Sequence, residues 1–222
     1  MVLNRCWFAV TSILLFPGLI SAQEPKRFFV GGGPGMAILS AGSAATINSQ
    51  TTAFSNYEPR LGALAHAFGG WHFSEYVTAQ VAWSGNRNSL TFAATNSAAD
   101  TYQQRRKSSQ QNAGADALLY FRDRRSFVRP FLSVGFNYMW FRSEATSLAF
   151  STAPTSAPPD FSDSVAGLRV AAGTDLLLRN GWGARYAFME HLQTNVIGKR
   201  LSPRATNPLM NFQHLFGVVK YF

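Results

Sequence analysis

The sequence predicts an all-β fold, an eight-stranded antiparallel up-and-down transmembrane β-barrel, on three observations. The first is composition: 46% of the 222 residues are hydrophobic and only 14% are charged, yet mean hydropathy is -0.04. After the leader no apolar run is long enough for a helical span. Strands that alternate a lipid-facing with an interior-facing side chain average to such a neutral value while still covering a bilayer. The second observation is period-two alternation of large apolar residues in segment after segment. The third is a strict alternation of short and long connections, as in barrels that keep tight turns on one side of a membrane and long loops on the other.

The chain opens on MVLNRCWFAVTSILLFPGLISAQEP, with a basic Arg5, an apolar stretch from Cys6 to Ile20 and then the small residues Ser21 and Ala22. This is the three-part pattern of a secretory signal peptide cleaved after Ala22, and the run is short for a spanning helix of roughly 20 residues. Residues 1–22 are therefore read as signal peptide and residues 23–222 as the barrel domain. Cys6 is the one cysteine. A chain beginning at Gln23 has no thiol, disulfide or cysteine-ligated metal. Without Arg5 it carries 19 basic and 11 acidic residues, a net charge of +8.

The first strand is placed near residues 27–38, around FFVGGGPGMAIL. Its glycines fit no nucleotide motif: G-x-G-x-x-G counted from Gly31 and Gly33 meets Met36, and no Gly-Lys-Ser or Gly-Lys-Thr follows. In a barrel strand, interior glycines leave room for bulky side chains across a narrow lumen, and Pro34, lacking an N–H, demands a bulge or an irregular ladder. The second strand falls near 57–72. The third, near 76–86, sets Val77, Ala79, Val81 and Trp83 against Thr78, Gln80 and Ser84. In the fourth, near 111–122, Ala115, Ala117, Leu119 and Phe121 oppose Asn112, Gly114, Asp116 and Tyr120.

The fifth strand, near 128–143, is the clearest: Leu132, Val134, Phe136, Tyr138 and Trp140 form one apolar face. The sixth, near 164–178, sets Ala166, Leu168, Val170, Ala172 and Leu176 opposite Gly167, Arg169, Gly173 and Asp175. Keeping Leu176 and Leu178 on the face of Trp182, Ala184 and Tyr186 in the seventh strand, near 182–192, requires an odd number of turn residues. Arg179-Asn180-Gly181 supplies three, with Gly181 at the left-handed position, and this register sets Asp175 opposite Arg185. The eighth strand is placed near 209–222. Short connections then fall at 73–75, 122–126 and 179–181, and long ones rich in Ser, Thr, Asn, Ala and Pro at 39–56, 87–110, 144–163 and 193–208.

With these elements in place the chain resembles the eight-stranded outer-membrane β-barrels typified by the OmpA transmembrane domain and OmpX. The resemblance spans the mature chain and includes the C-terminal HLFGVVKYF, although Lys220 stands where similar proteins carry an apolar residue. It implies a monomer in the bacterial outer membrane, in contact with its lipids and lipopolysaccharide, with long loops outside the cell and short turns in the periplasm. It also implies that Tyr221 and Phe222 serve as a signal to the barrel-assembly machinery. The peptidoglycan-binding module of some relatives is not expected after Phe222.

In the predicted register Arg60, His66, Asp116, Arg169, Asp175 and Arg185 point inward, into a lumen that eight strands leave about wide enough for side chains. Charges there must pair or be hydrated, so a charge-paired core is expected, with a gated path or a ligand site as the alternative. Arg105, Arg106 and Lys107, in the second long connection, form a candidate contact for lipopolysaccharide phosphates. Nucleic acid is not an expected partner of an exported barrel.

No catalytic site is expected. His72-Phe73-Ser74-Glu75 brings a base and a nucleophile together in sequence, but on a periplasmic turn, away from the outer leaflet where lipid A would be modified, and a triad is defined by geometry. Glu190-His191 has no serine at matching spacing. Four scattered histidines without a mature cysteine give no metal-ligand spacing, and no cofactor is expected. The expected role is structural or surface-interacting. A narrow channel or carrier for small solutes or amphiphiles is the alternative, and a lipid A-modifying enzyme a third.

Overall fold

A computed structural model describes residues 26–47, 51–58, 61–95, 101–151, 159–194, 196 and 210–222. The signal-peptide reading and Arg60 lie outside the described residues. The strands are β1 (Phe28–Ile47), β2 (Thr51–Glu58), β3 (Gly62–His72), β4 (Val77–Thr95), β5 (Thr101–Tyr120), β6 (Val128–Ser151), β7 (Phe161–Leu177), β8 (Trp182–Gln193) and β9 (Met210–Tyr221). Each pairs antiparallel with its neighbours, and β1 pairs with β9 to close the sheet. Both β2 and β3 lie between β1 and β4 and form one barrel stave, so the nine segments make an eight-stranded up-and-down barrel. The break between them inserts one residue: Ala37 pairs with Gly62 and Ala41 with Tyr57, four steps on β1 against five on the partner.

Alternation decides which side chain goes where. On β6, Leu132, Val134, Phe136, Tyr138 and Trp140 are exposed on the outside, while Phe131, Ser133, Asn137, Met139 and Phe141 are buried within. The same alternation puts Val81 and Trp83 of β4, Leu168 and Val170 of β7, and Trp182, Tyr186 and Phe188 of β8 on the outer surface. The last strand follows suit: Asn211, Gln213, Leu215, Val219 and Tyr221 are buried, and Phe216 and Val218 face out with Lys220. An apolar exterior around a polar interior is the inverse of a soluble protein and is stable where the exterior meets hydrocarbon. The belt from Leu132 to Trp140, rising about 3.3 Å per residue at a tilt near 40°, is roughly 20–25 Å tall.

Three of the long connections expected from sequence are largely strand. β1 continues to Ile47, β4 to Thr95 and β6 to Ser151, while β5 begins at Thr101; β5 is 20 residues long and β6 is 24, where a span needs about 9–11. The barrel wall therefore continues well past the apolar belt at its long-connection end. The short turns stay short. In the three-residue turn after β7, Gly181 has φ 73°, as the register requires, and Asn180 is also left-handed at φ 59°.

Pro34 has a defined consequence. The β1–β9 ladder pairs Gly32 with Val218 and Gly35 with Leu215 but skips Gly33 and Pro34, while on the β3 side Pro34 still pairs with Ala65. The register is the same on both sides of the gap, so this is an irregular ladder and not a bulge. Gly31, on the same strand, makes room for a ring on the adjacent strand, since a Cβ there would meet the ring of its β3 partner Phe68 at 2.5 Å.

Candidate functional site: the charged lumen

Asp175 of β7 and Arg185 of β8 are directly paired across the hairpin and both are buried. Arg185 donates from Nε to Asp175 Oδ1 at 2.5 Å and from Nη2 to Oδ2 at 2.7 Å. The carboxylate also accepts from the Tyr120 hydroxyl at 2.8 Å and the Tyr221 hydroxyl at 2.7 Å. On the other side of the guanidinium lie the rings of Phe68, Phe29 and Phe131, at 4.4, 5.1 and 5.1 Å from its central carbon. Arg185 thus has a bidentate anion in its plane and aromatic faces around it, an arrangement suited to a buried guanidinium.

A second buried pair lies farther along the lumen. Arg169 of β7 donates to both oxygens of Asp116 of β5, Nε to Oδ1 at 2.5 Å and Nη2 to Oδ2 at 2.6 Å. The two residues are not on neighbouring strands: Asp116 pairs with Gly135 of β6, and Gly135 pairs with Arg169. The guanidinium crosses a strand whose inward residue has no side chain. A Cβ at Gly135 would lie 2.8 Å from the Asp116 Cα, and one at Gly114 would lie 2.9 Å from the Arg169 guanidinium carbon. Gln80 joins the pairs, accepting from Arg185 Nη1 at 2.5 Å and donating to Asp116 Oδ2 at 3.4 Å.

Every described member of the predicted inward set is buried. His66 is buried but outside both ion pairs: its Nε2 lies 3.1 Å from the Phe216 carbonyl oxygen and its ring stacks on Phe68. Sequence reasoning missed Arg129, fully buried with its guanidinium 3.9 Å from the Tyr120 ring centroid, although its odd number on β6 matches the inward parity of Phe131. It also missed that Tyr221 is a lumen ligand of Asp175; Phe222 lies outside against Phe28. Toward the long-connection end the lumen is lined by carboxamides, among them Gln110, Asn112, Asn211 and Gln213. The Gln110 and Asn211 side chains have no protein partner among the described residues, and buried amides of this kind are ordinarily satisfied by ordered water. Between the ion pairs lies a cavity of about 30 Å³ bordered by His66, Gln80, Ser84, Arg169 and Arg185, room for about two water molecules.

The basic cluster Arg105-Arg106-Lys107 is corrected in both place and composition. It lies in β5, where alternation sends Arg105 and Lys107 outward and Arg106 inward. Arg106 is buried and donates to Ser143 Oγ at 2.8 Å, Gln104 Oε1 at 2.7 Å and the Pro159 carbonyl at 2.9 Å. The outward cations have other neighbours: Arg87 of β4 and Arg142 of β6 both pair with Ser109 and form one row immediately above the apolar belt.

The residues of the His72-Ser74-Glu75 stretch do not converge. His72 is buried with Nδ1 on Thr78 Oγ1 at 2.5 Å, and Ser74 Oγ accepts from the Tyr76 and Val77 amides at 3.2 and 3.0 Å. Glu75 is held by Arg124 of the next short turn, which donates from its amide at 3.0 Å and from Nε at 2.9 Å. Those bonds hold the Glu75 carboxyl below the usual carboxylate range. Glu190 and His191 point to opposite sides of β8, His191 into the lumen. Among the described residues no group of three or more His, Cys, Asp or Glu is arranged to hold a metal ion.

Solved structures share this architecture. The outer-membrane protein OprG from Pseudomonas aeruginosa superposes with a TM-score of 0.60 at 11% identity, covering 89% of this chain and 97% of that one. The chain has the fold of the small eight-stranded outer-membrane β-barrels. Neisserial surface protein A matches this barrel with a TM-score of 0.53 at 13% identity, covering 88% of this chain and 97% of that one. Ail, the attachment invasion locus protein of Yersinia pestis, matches with a TM-score of 0.52 at 7% identity, covering 90% and 100%. No family model and no curated protein sequence matches the barrel.

Proposed function

We propose that the protein is a monomeric barrel of the bacterial outer membrane with a structural or surface-interacting role and no enzymatic one. In this reading the long-connection end is displayed outside the cell on an extended β-wall. The observation that carries it is the filled lumen. Two bidentate ion pairs, their aromatic surround and Gln80 occupy the cross-section where an open pore would pass. An eight-stranded barrel has about the interior its own side chains fill. The amide-lined upper lumen favours a second reading, a narrow path for small solutes, but the charged layer interrupts it. In planar bilayers the refolded protein is expected to show no large, steady conductance. A stable open channel would favour the transport reading instead.

Lipopolysaccharide is the proposed outer partner. The contact uses Arg105 and Lys107 with Arg87 and Arg142, the outward cations nearest the upper edge of the belt, where lipid A phosphates would lie. Replacing Arg105 and Lys107 by glutamine should weaken lipopolysaccharide binding at low salt and leave the heat-dependent gel mobility of the folded barrel unchanged. Equal binding by variant and parent at every salt concentration would remove this contact.

A further inference from the structure

Among the described residues, most of the cations outside the lumen that have no carboxylate partner gather at the short-turn end of the barrel. At the short-turn end, outside the lumen, Lys26, Arg27, Arg122, Arg125, Arg179 and Lys220 have no carboxylate partner among the described residues. The two carboxylates of the short turns are already engaged, Glu75 by Arg124 and Asp123 by the Arg125 amide and the Ser126 hydroxyl. The exterior of the other end is more balanced, with Arg87, Arg105, Lys107 and Arg142 accompanied by Glu144, Asp160 and Glu190 among the described residues.

The short-turn end also carries a collar of exposed rings: Phe28, Trp71, Phe73, Tyr76, Phe121 and Trp182. Such rings settle at the boundary between hydrocarbon and headgroups. Lys220 marks the level. It faces outward one residue before the end of β9, yet its ammonium lies 4.8 Å from the Trp182 ring centroid and donates to the Asn180 carbonyl at 2.8 Å, drawn toward the turn and away from the belt.

We propose that this ring of cations binds the phosphates of anionic phospholipids, of the phosphatidylglycerol type, in the leaflet that surrounds the short turns. The inference rests on the reading of the chain as a membrane-spanning barrel. Lysine and arginine at headgroup depth attract anionic lipid, and the attraction is screened by salt. It explains why a lysine is tolerated on the outer face of the last strand: its charge sits at the phosphate level, where it has a partner.

The test is lipid selectivity around the refolded chain in phosphatidylcholine vesicles, read by electron paramagnetic resonance from spin-labelled phosphatidylglycerol and spin-labelled phosphatidylcholine. The expected preference for the anionic lipid is about two- to fivefold at low salt, the range of exposed charge pairs, falling toward unity in 1 M sodium chloride. Arg122→Gln, Arg125→Gln, Arg179→Gln and Lys220→Gln together should abolish most of it, whereas Arg105→Gln with Lys107→Gln at the opposite end should retain it. If the fourfold variant does not fold, Arg122→Gln with Arg125→Gln in the exposed turn alone should lower the preference. Equal restriction of the two lipids by the parent overturns the proposal, as does a preference lost only in the opposite-end variant. Failure of the parent to insert into vesicles would refute the membrane reading itself, a separate outcome visible in the gel shift.

Discussion

Asp175→Ala removes the centre of the lumen network. The wild-type carboxylate is fully buried and accepts four hydrogen bonds, two from Arg185 and one each from Tyr120 and Tyr221. Truncation leaves the Arg185 guanidinium with Gln80, the Tyr120 hydroxyl and three phenyl faces, and no anion within hydrogen-bond reach. Removing one partner of a buried ion pair costs about 3–5 kcal/mol, because the surviving charge remains desolvated. With a urea slope near 2 kcal/mol/M, a loss of about 4 kcal/mol lowers the unfolding midpoint by about 2 M. The assay is urea unfolding of the barrel refolded in lipid vesicles, followed by tryptophan fluorescence and by heat-dependent gel mobility.

A double-mutant cycle separates the charge from the cavity. Asp175→Leu with Arg185→Met replaces both ions by apolar side chains and should recover most of the loss, giving a coupling of at least about 2 kcal/mol. A single variant that loses less than about 1 kcal/mol, or a double variant whose losses simply add, would refute the account of Asp175–Arg185 as a mutually dependent buried pair.

Three further outcomes are expected. Gly135→Ala places a methyl against the Asp116 backbone in the path of Arg169, and overpacking of this kind should cost about 1–3 kcal/mol in the same urea assay. Arg106→Gln should lower the midpoint, since Arg106 is buried and donates to Ser143, Gln104 and the Pro159 carbonyl, while Arg105→Gln and Lys107→Gln should leave it within about 0.5 kcal/mol. The Glu75 carboxyl has a folded pKa below its unfolded value of about 4.3, so its stabilisation is present above that value and is lost as pH falls through the folded one. Because Glu75 is half-exposed the effect is at most about 1 kcal/mol, and the unfolding midpoints of wild type and Glu75→Gln should differ at pH 7 and converge in acid.

Alternation was legible wherever the two faces of a strand meet different surroundings. Leu132 to Trp140 contrasts with Ser133 to Met139 because lipid-facing and lumen-facing positions want different side chains, and there the strand positions were read correctly. Above the belt that contrast vanishes. Outward Arg87, Ser89 and Lys107 meet water, and inward Asn88, Ser108 and Gln110 line a polar lumen, so both parities are polar and the segment reads as a loop. The ladder continues there because each strand already has a paired neighbour to extend along: β4 and β5 pair from Val77 with Leu119 to Thr95 with Thr101. Inheriting that paired edge, polar sequence can remain strand without any period of its own.

The same contrast explains which parts of the site could be read. Asp175 and Arg185 were placed opposite each other because one hairpin of fixed turn length sets their register. Asp116 and Arg169 were both placed inward, but their pairing depends on two successive registers and on what stands between them. The clue was Gly135, an inward position without a side chain, which lets a guanidinium reach a carboxylate two strands away. A carboxylate and a guanidinium in one tier of a narrow barrel need not be hairpin partners; a glycine between them widens the reach. Arg106 was misread for the complementary reason. Three consecutive cations look like one cluster, but in a strand neighbouring residues face opposite ways, so the run divides into an interior guanidinium and two exterior charges.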